Sequence, residues 1–490
     1  MLHFQQNYDN IVILKKQAFI KEEVKRVKKT LSTTILISIL SMNIIPVMTF
    51  AQENNTASPK QLKSTVNKNK RIGNDYKYAY VNMNWWENFN DDILNNYIEK
   101  AVLNNYDLKM ATITVDEYYQ NVKMQFSNEL PQISAGFVPN LGKMPGSSDF
   151  DWSFAAPGIV QYEFDLFLKN RDKTKSSKKT YEASIFDERA AYISVASAVG
   201  TTYLNVVKLD KMINLQEEIV NSRKTIYNLM LIRNKEGITS TADTVKANKS
   251  YVAGTTDLLE LKKQREKLLN QLAVMTGESP ENANSLTRSS LDEVNFNNKI
   301  PAAISSEVIM QRPDYLKAEK MIEKAGLDVK IAKKEFLPSI NLTGLALFNA
   351  GNFGSIFTTK NMLASLSSAA LLPIFTGGAK TANLRLKKNQ YERILQNYYK
   401  TNLIAIQEVN DALVAIKLDE EKMNLTVKQA RLEEDDYKYN ESRFKEGVIS
   451  KLDLIQYKEN LLVMDKLVAQ QKTECFVDYI GLYKATGSKI

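Results

Sequence analysis

The sequence predicts a mainly α-helical protein that carries four β-strands, arranged as two copies of one programme. Three observations carry this. A nine-residue pattern, K-E-G-[IV]-x-S-x-x-D, occurs at 235–243 and again at 445–453. Two long regions lack proline, 158–279 and 374–490, and the first repeats apolar residues at alternating spacings of three and four. Leading into each region are two strand-like stretches, and the one at 150–167 alternates with a period of two, the signature of a half-buried strand.

Each nine-residue pattern predicts a tight corner. Glycine, at Gly237 and Gly447, permits the left-handed backbone that ends a helix. Serine, at Ser240 and Ser450, followed three residues later by an acid, opens the next helix.

Composition narrows the function classes. The chain has 490 residues, with 65 basic and 56 acidic side chains and a net charge of +9. Residues 1–51 hold seven Lys/Arg and three Asp/Glu, which leaves about +5 for the remainder, a weak and dispersed excess that does not argue for nucleic acid. The single histidine, His3, and the single cysteine, Cys475, exclude an intrachain disulfide, a Cys/His zinc cage and a histidine-based triad. Neither an enzyme nor a cofactor is expected.

At the N-terminus, Lys25, Arg26, Lys28 and Lys29 precede an apolar run from Leu31 to Phe50 that ends in Ala51-Gln52. A basic region, an apolar core and a small residue at the cut predict a Sec signal peptide. Residues 1–51 are therefore expected to be an extension plus leader. No cysteine lies near the cut, so no lipid anchor is expected there. The stretch before Lys25 exceeds a usual leader and admits a later start codon. No other run suggests a membrane helix, so any membrane crossing is expected to use strands.

The elements follow in order. Residues 52–84 are polar and predict a loose segment. The first repeat, 85–279, opens at Trp85-Trp86. A helix is predicted from Asp91 to Glu129, with Ile93, Tyr97, Ala101, Leu108 and Ala111 on one face; Leu130-Pro131 ends it. Strands are predicted over 132–141 and 150–167, joined by a turn at Pro145-Gly146-Ser147-Ser148. In the second strand Phe150, Trp152, Phe154, Val160, Tyr162, Phe164 and Leu166 share one phase, and Ser153, Gln161, Glu163 and Asp165 the other. A helix from about Lys169 to Glu236, on the order of 100 Å long, carries a coiled-coil seam through Val195, Val199, Thr202, Val206, Leu209, Ile213, Gln216 and Val220. After the first corner a second helix runs to Thr276-Gly277. A connector spans 280–304. The second repeat, 305–490, opens a helix at Arg312-Pro313-Asp314, ends it at Leu337-Pro338, predicts strands over 339–349 and 362–375, and closes with a helical hairpin turned at Gly447.

Four strands do not close a barrel, and open edges pair with other chains. Several copies each contributing four strands satisfy both conditions. Strands of about ten residues suit an outer membrane. The expected object is a tube, with a strand barrel at one end and a coiled-coil barrel beyond it.

The chain resembles the TolC-like outer membrane efflux family, closest to its OprM/NodT branch. The resemblance rests on Trp86-Glu87-Asn88-Phe89, Leu130-Pro131-Gln132-Ile133-Ser134, Tyr162-Glu163-Phe164-Asp165-Leu166-Phe167, Arg312-Pro313-Asp314 with Ala318-Glu319, Phe336-Leu337-Pro338-Ser339-Ile340, Pro373-Ile374-Phe375-Thr376-Gly377-Gly378 and Gln407-Glu408-Val409. It covers the chain from about Trp85 to Gly487, and its specificity lies in order and spacing. It implies a homotrimer with a twelve-stranded outer-membrane barrel and a periplasmic α-barrel. It also implies a periplasmic adaptor and an inner-membrane pump of RND or ABC type as partners, and small molecules conducted passively. A type I secretion duct and a coiled-coil structural or adhesin protein are the competing expectations. Leu168 departs from the family, which usually has glycine at that place.

The resemblance also marks candidate sites. Asp453 matches a gate acid of the periplasmic constriction, and Gln456 stands where a second acid is common. Asp453 also fits a plain helix-start acid favoured by the dipole, and the two readings stand side by side. Asp243 matches a possible latch and equally a helix cap. Gly237, Ile238, Thr239, Gly447, Val448 and Ile449 match tips that meet the adaptor; the alternative is that the apolar ones staple the turns. Glu163 and Asp165, on a polar strand face, are candidates for the upper pore lining and equally for solvated wall positions. Arg312-Pro313-Asp314 is expected to be ordinary capping, and Cys475 a buried small hydrophobe.

Overall fold

Helix ends are set by residues that satisfy the orphan backbone groups of the first and last turns, and most breaks in this chain trace to them. The computed structural model describes residues 84–143, 146, 148–301 and 303–487. The leader, most of the polar segment that follows it, and turn residues Pro145 and Ser147 lie outside the described residues.

A 3-10 turn, Trp85–Phe89, leads into α1 (Asp92–Asn104) and α2 (Tyr106–Ser127). The expected single helix is therefore two. Asn105 divides them: its side chain accepts from the backbone of Asp107 and Leu108 at 2.9 and 3.1 Å, while its amide donates to the Met275 carbonyl at 2.9 Å. The asparagine caps one helix and ties it to the end of another, which a periodicity reading does not register.

The strands are β1 (Gln132–Ala135), β2 (Val138–Gly142), β3 (Asp151–Phe164), β4 (Ser339–Ala350) and β5 (Met362–Leu371). All pairings are antiparallel, β1 and β2 both lie along β3, and β3, β4 and β5 follow in order. Five segments thus fill four ladder positions. The first expected strand is interrupted at Gly136–Phe137 because Pro157, opposite Gly136, has no N–H to donate. The return bond survives, with Gly136 N–H donating to the Pro157 carbonyl at 2.8 Å. The apolar phase aligns across the whole sheet: Ile133 faces Val160, Val160 faces Gly344, and Gly344 faces Leu366. Among the described residues neither edge of the sheet pairs with a further strand.

Two helical hairpins follow the strands. The first is α3 (Lys169–Lys235) with α4 (Thr241–Met275). A short helix α5 (Ser306–Ile309) and then α6 (Pro313–Lys334) lead to β4, and α7 (Ala379–Lys445) with α8 (Lys451–Ala485) form the second hairpin. Both hairpins have the same dimensions, a 67-residue helix turning into a 35-residue helix. At 1.5 Å per residue the longer arms reach about 100 Å. Val199, Thr202, Val206, Leu209, Ile213 and Gln216 of the expected seam are buried. One window of α3 has the length and composition of a membrane-crossing helix, contrary to the sequence expectation, but more than half of it is buried against neighbouring helices. Packing accounts for its apolar character.

The core sits where α1, the middle of α3 and the ends of α4 and α8 converge. Trp85, Phe89, Tyr203, Leu272, Phe476 and Ile480 belong to it, and Trp85 stacks on Tyr483 with ring centroids 5.5 Å apart. Truncating so enclosed a tryptophan to alanine costs about 3–5 kcal/mol. Gly277, at φ +76°, closes α4 where any Cβ would stand 2.9 Å from the Cβ of Asn104. Both the dihedral and the space there require glycine.

Candidate functional site

The two corners are built alike. Gly237 and Gly447 adopt φ of +70° and +74°. The amide after each glycine closes back on the helix: Ile238 donates to the Arg233 carbonyl and Val448 to the Arg443 carbonyl, both at 2.8 Å. These bonds are the six-to-one closure of a Schellman ending. In each corner the two residues after glycine point differently. Ile238 is 64% exposed and Val448 60%, whereas Thr239 and Ile449 are half-buried. One residue of each pair therefore steadies the turn and the other is free for contact.

The corners differ at their acids. Ser450 and Asp453 form a complete capping box. Asp453 Oδ2 accepts from the Ser450 hydroxyl at 2.7 Å and from its N–H at 3.0 Å, and Ser450 Oγ accepts from Asp453 N–H at 3.2 Å. The Ser450 hydroxyl, then its N–H, hold the Asp453 carboxyl below the usual carboxylate range. Oδ1 takes no hydrogen bond among the described residues. Gln456, one turn on, shares the exposed face and donates to Asn460 at 3.2 Å. The first corner forms only half of the box: Asp243 N–H donates to Ser240 Oγ at 3.1 Å, and the Ser240 hydroxyl donates to Asp243 Oδ2 at 2.7 Å; these hydrogen bonds stay within the corner.

A polar seam that sequence reasoning missed joins the hairpins. Arg223 on α3 donates through Nε to Glu459 on α8 at 2.8 Å, Nη2 reaches the same oxygen, and Nη1 donates to the Ser250 carbonyl on α4 at 3.2 Å. Further along, Lys466 donates to Gln216 at 2.7 Å, and Gln216 donates to the Gly254 carbonyl at 2.9 Å. Gly254 keeps this corridor open, since a Cβ there would lie 3.2 Å from Arg223. The only sequence signal was Gln216 at a seam position.

The remaining candidates take definite places. Glu163 pairs with Lys169 at 2.7 Å. Asp165 is a helix cap, accepting from the amides of Asn170 and Arg171 at 3.1 and 2.9 Å. Arg312 does more than open a helix: it is buried, forks onto Asp314, reaches Glu408 at 2.7 Å and donates to the Ala485 carbonyl at 2.6 Å. Cys475 is buried, and burial pushes its thiol up to about 11. Nearby, burial and then the Asp419 carboxyl push Asp478 up to about 7. No metal-binding cluster occurs among the described residues.

Among the described residues these sites do not bring together a nucleophile, a base and an orienting group. The arrangement offers instead an apolar strand face with open edges, long coiled coils and exposed helical tips. The comparisons agree. The toluene efflux pump outer membrane protein TtgC of Pseudomonas putida is 26% identical over 417 residues, covering 84% of this chain and 86% of that protein. The cation efflux system protein CusC of Escherichia coli is 23% identical, covering 83% and 89%. Among solved structures, the CmeC outer membrane channel of Campylobacter jejuni superposes with a TM-score of 0.76 at 24% identity, over 91% of this chain and 94% of that one. VceC of Vibrio cholerae gives 0.73 at 20%, over 83% and 99%. The profile described as outer membrane efflux protein matches residues 97–278 and 304–488, one block for each hairpin, and the chain belongs to that family.

Proposed function

We propose that the protein acts as a homotrimer, the exit duct of a tripartite efflux pump, and conducts small molecules passively from the periplasm to the outside. The observation that carries this is the sheet whose two edges pair with no further strand among the described residues. Four antiparallel ladder positions leave β1 and β5 running in opposite directions, so β5 of one copy continues antiparallel onto β1 of the next. Three copies give twelve strands, an even number that closes without a mismatch. Each copy spans two repeats, 85–279 and 305–490, joined by the 280–304 connector.

The corners face away from the strands. Ile238 and Val448, with Gly237, Thr239, Gly447 and Ile449 shaping the turns, form the tips that meet a periplasmic adaptor; exposed apolar residues at a solvent-facing turn support that role. The adaptor in turn couples the duct to an inner-membrane pump of RND or ABC type. Asp453 serves two roles. One carboxylate oxygen caps α8, and the other contributes to a ring of three charges around the periplasmic constriction, with Gln456 as a neutral neighbour. Such a ring attracts cations. Asp243 stays a corner cap with latch capacity toward a neighbouring copy.

Planar-bilayer recording on the size-selected trimer tests this reading. Discrete conductance steps are expected. A stable monomer on sizing, or a trimer without conductance, overturns it.

A further inference from the structure

The chain's positive charge is not dispersed, as composition suggested. The first twelve residues of α3, 169–180, hold six Lys/Arg and one acid. The first fifteen of α7, 379–393, hold five and one. Both segments leave the strands directly, so the excess forms a collar immediately beneath the membrane-spanning sheet.

Part of the collar is paired inside the chain. Asp172 binds Lys334 at 2.6 Å, Ser176 binds Asp328 at 2.6 Å, and Lys179 binds Glu323 at 2.6 Å. These contacts turn one side of α3 toward α6. Tyr181 packs on Tyr119 of α2, which occupies the opposite side. Arg171, Lys175 and Lys178, at spacings of four and three, form a stripe between those two sides. All three are exposed, and none has a carboxylate within ion-pair distance among the described residues. The face of the tube follows from Lys169, which pairs with Glu163. Glu163 lies in the polar phase of β3, away from Trp152, Tyr162 and Phe164, so Lys169 is on the lumen side. Arg171, Lys175 and Lys178 lie on the opposite, outer side. Side chains on a helix lean toward its N-terminus, and the N-terminus of α3 is its membrane end. The stripe therefore leans toward the bilayer.

Leu168 adds a second, independent observation. It adopts φ +57° at the N-cap of α3, a conformation that costs a leucine roughly 1–2 kcal/mol. The equivalent N-cap of α7 is Gly378, at φ +83°, where that cost vanishes. The same turn is thus built with glycine in one repeat and with strained leucine in the other. The Leu168 side chain is 46% exposed and stands one turn nearer the membrane than Arg171. Strain held at an exposed apolar residue directs attention to what that residue touches.

We infer that this junction is an anionic-phospholipid site: phosphate headgroups of the periplasm-facing leaflet bind Arg171, Lys175 and Lys178, while Leu168 enters the acyl boundary above them. Guanidinium and ammonium groups supply charge-assisted bonds to phosphate, and polybasic segments beside a membrane span gain affinity for anionic surfaces. The stripe extends about 10 Å along the helix axis, the depth of a headgroup layer. Three copies place three such sites around the duct.

The test purifies the full-length trimer in detergent with equal phosphatidylglycerol and phosphatidylcholine and counts retained lipids by native mass spectrometry. Preferential retention of phosphatidylglycerol is expected. The variant Arg171→Gln/Lys175→Gln/Lys178→Gln should lose that retention on the order of tenfold, with trimer size and helicity unchanged. Leu168→Gly, which relieves the backbone, should lower it as well. Equal retention of both lipids by the natural protein, or undiminished phosphatidylglycerol on the triple variant, overturns the site. A changed ion selectivity of the pore with unchanged lipid retention places the stripe in the lumen and overturns it too. A triple variant that no longer assembles assigns the stripe to the neighbouring copy, with the same consequence.

Discussion

Arg223 and Glu459 lie 236 residues apart in sequence and share one carboxylate oxygen, which accepts from two nitrogens of the guanidinium. Glu459 is 8% exposed. The pair joins the first helical hairpin to the second, and the same arginine also holds the Ser250 carbonyl of α4. Removing one partner strands the other charge in a poorly solvated seam. Glu459→Leu should lower stability by about 2–4 kcal/mol, toward the lower part of the range for buried pairs because Arg223 keeps some contact with water. Arg223→Met combined with Glu459→Leu should recover most of that loss. Denaturant unfolding of the four corners of this cycle measures it; additive single effects would mean that the pair is not coupled.

Arg312 ties together the start of α6, the middle of α7 and the last turn of α8. Its geometry is planar and forked, which an ammonium cannot copy. Arg312→Lys should therefore destabilise the protein by about 2 kcal/mol despite keeping the charge. Thermal unfolding reads this directly. A melting temperature equal to that of the natural protein would show that the fork is dispensable.

Asp453→Asn keeps an oxygen for the Ser450 contacts and removes the charge. Divalent-cation block of the single-channel current should weaken several-fold, while helix-cap stability changes by less than about 1 kcal/mol. Unchanged block would remove Asp453 from the constriction. The pH dependence follows from the depressed pKa. The carboxylate stays ionised above the ordinary range near 4, and the cap contribution is present there. The cap contribution fades as pH falls through the lower, folded-state value.

Asp478 titrates in the opposite sense. Burial and the Asp419 carboxyl raise its pKa to about 7, with Glu474 adding to the rise and Lys422 opposing it. Gln471 donates to Asp419 at 3.1 Å, so the pair is held between α7 and α8. Between about pH 4 and pH 7 the native state binds a proton that the unfolded chain has lost. Stability on this account is greatest below about pH 4 and declines as pH rises toward 7. Asp478→Asn should flatten that slope and raise the melting temperature at pH 8. Melting scans at pH 5 and pH 8 check the prediction, and an unchanged difference between them would refute it.

What the sequence could reveal was decided by range. The corners, the long helices and the strand phases are local patterns, carried by Gly447 with Ser450, by the seam through Val206, and by the alternation around Tyr162. The break at Asn105 was hidden because a helical period runs through it, and its amide partner, the Met275 carbonyl, is far away in sequence. The interruption opposite Pro157 was legible in principle, for a proline in a central strand removes a ladder bond. Arg312 and Arg223 could not be read as hubs, since the partners that join separate helices, Glu408 and Glu459, lie 96 and 236 residues away.

The matched hairpins, 67 and 35 residues in both repeats, constrain how this protein can change. Lengthening one hairpin by two turns of helix would move its tip about 11 Å beyond the other and tilt the end that each copy presents. A docking partner would then meet alternating high and low points. Growth or shrinkage of the duct therefore requires coordinated insertions at four places, in both arms of both repeats. A single-arm insertion should fail at docking even where the altered helix folds well, and periplasmic span becomes a quantity that changes only in steps.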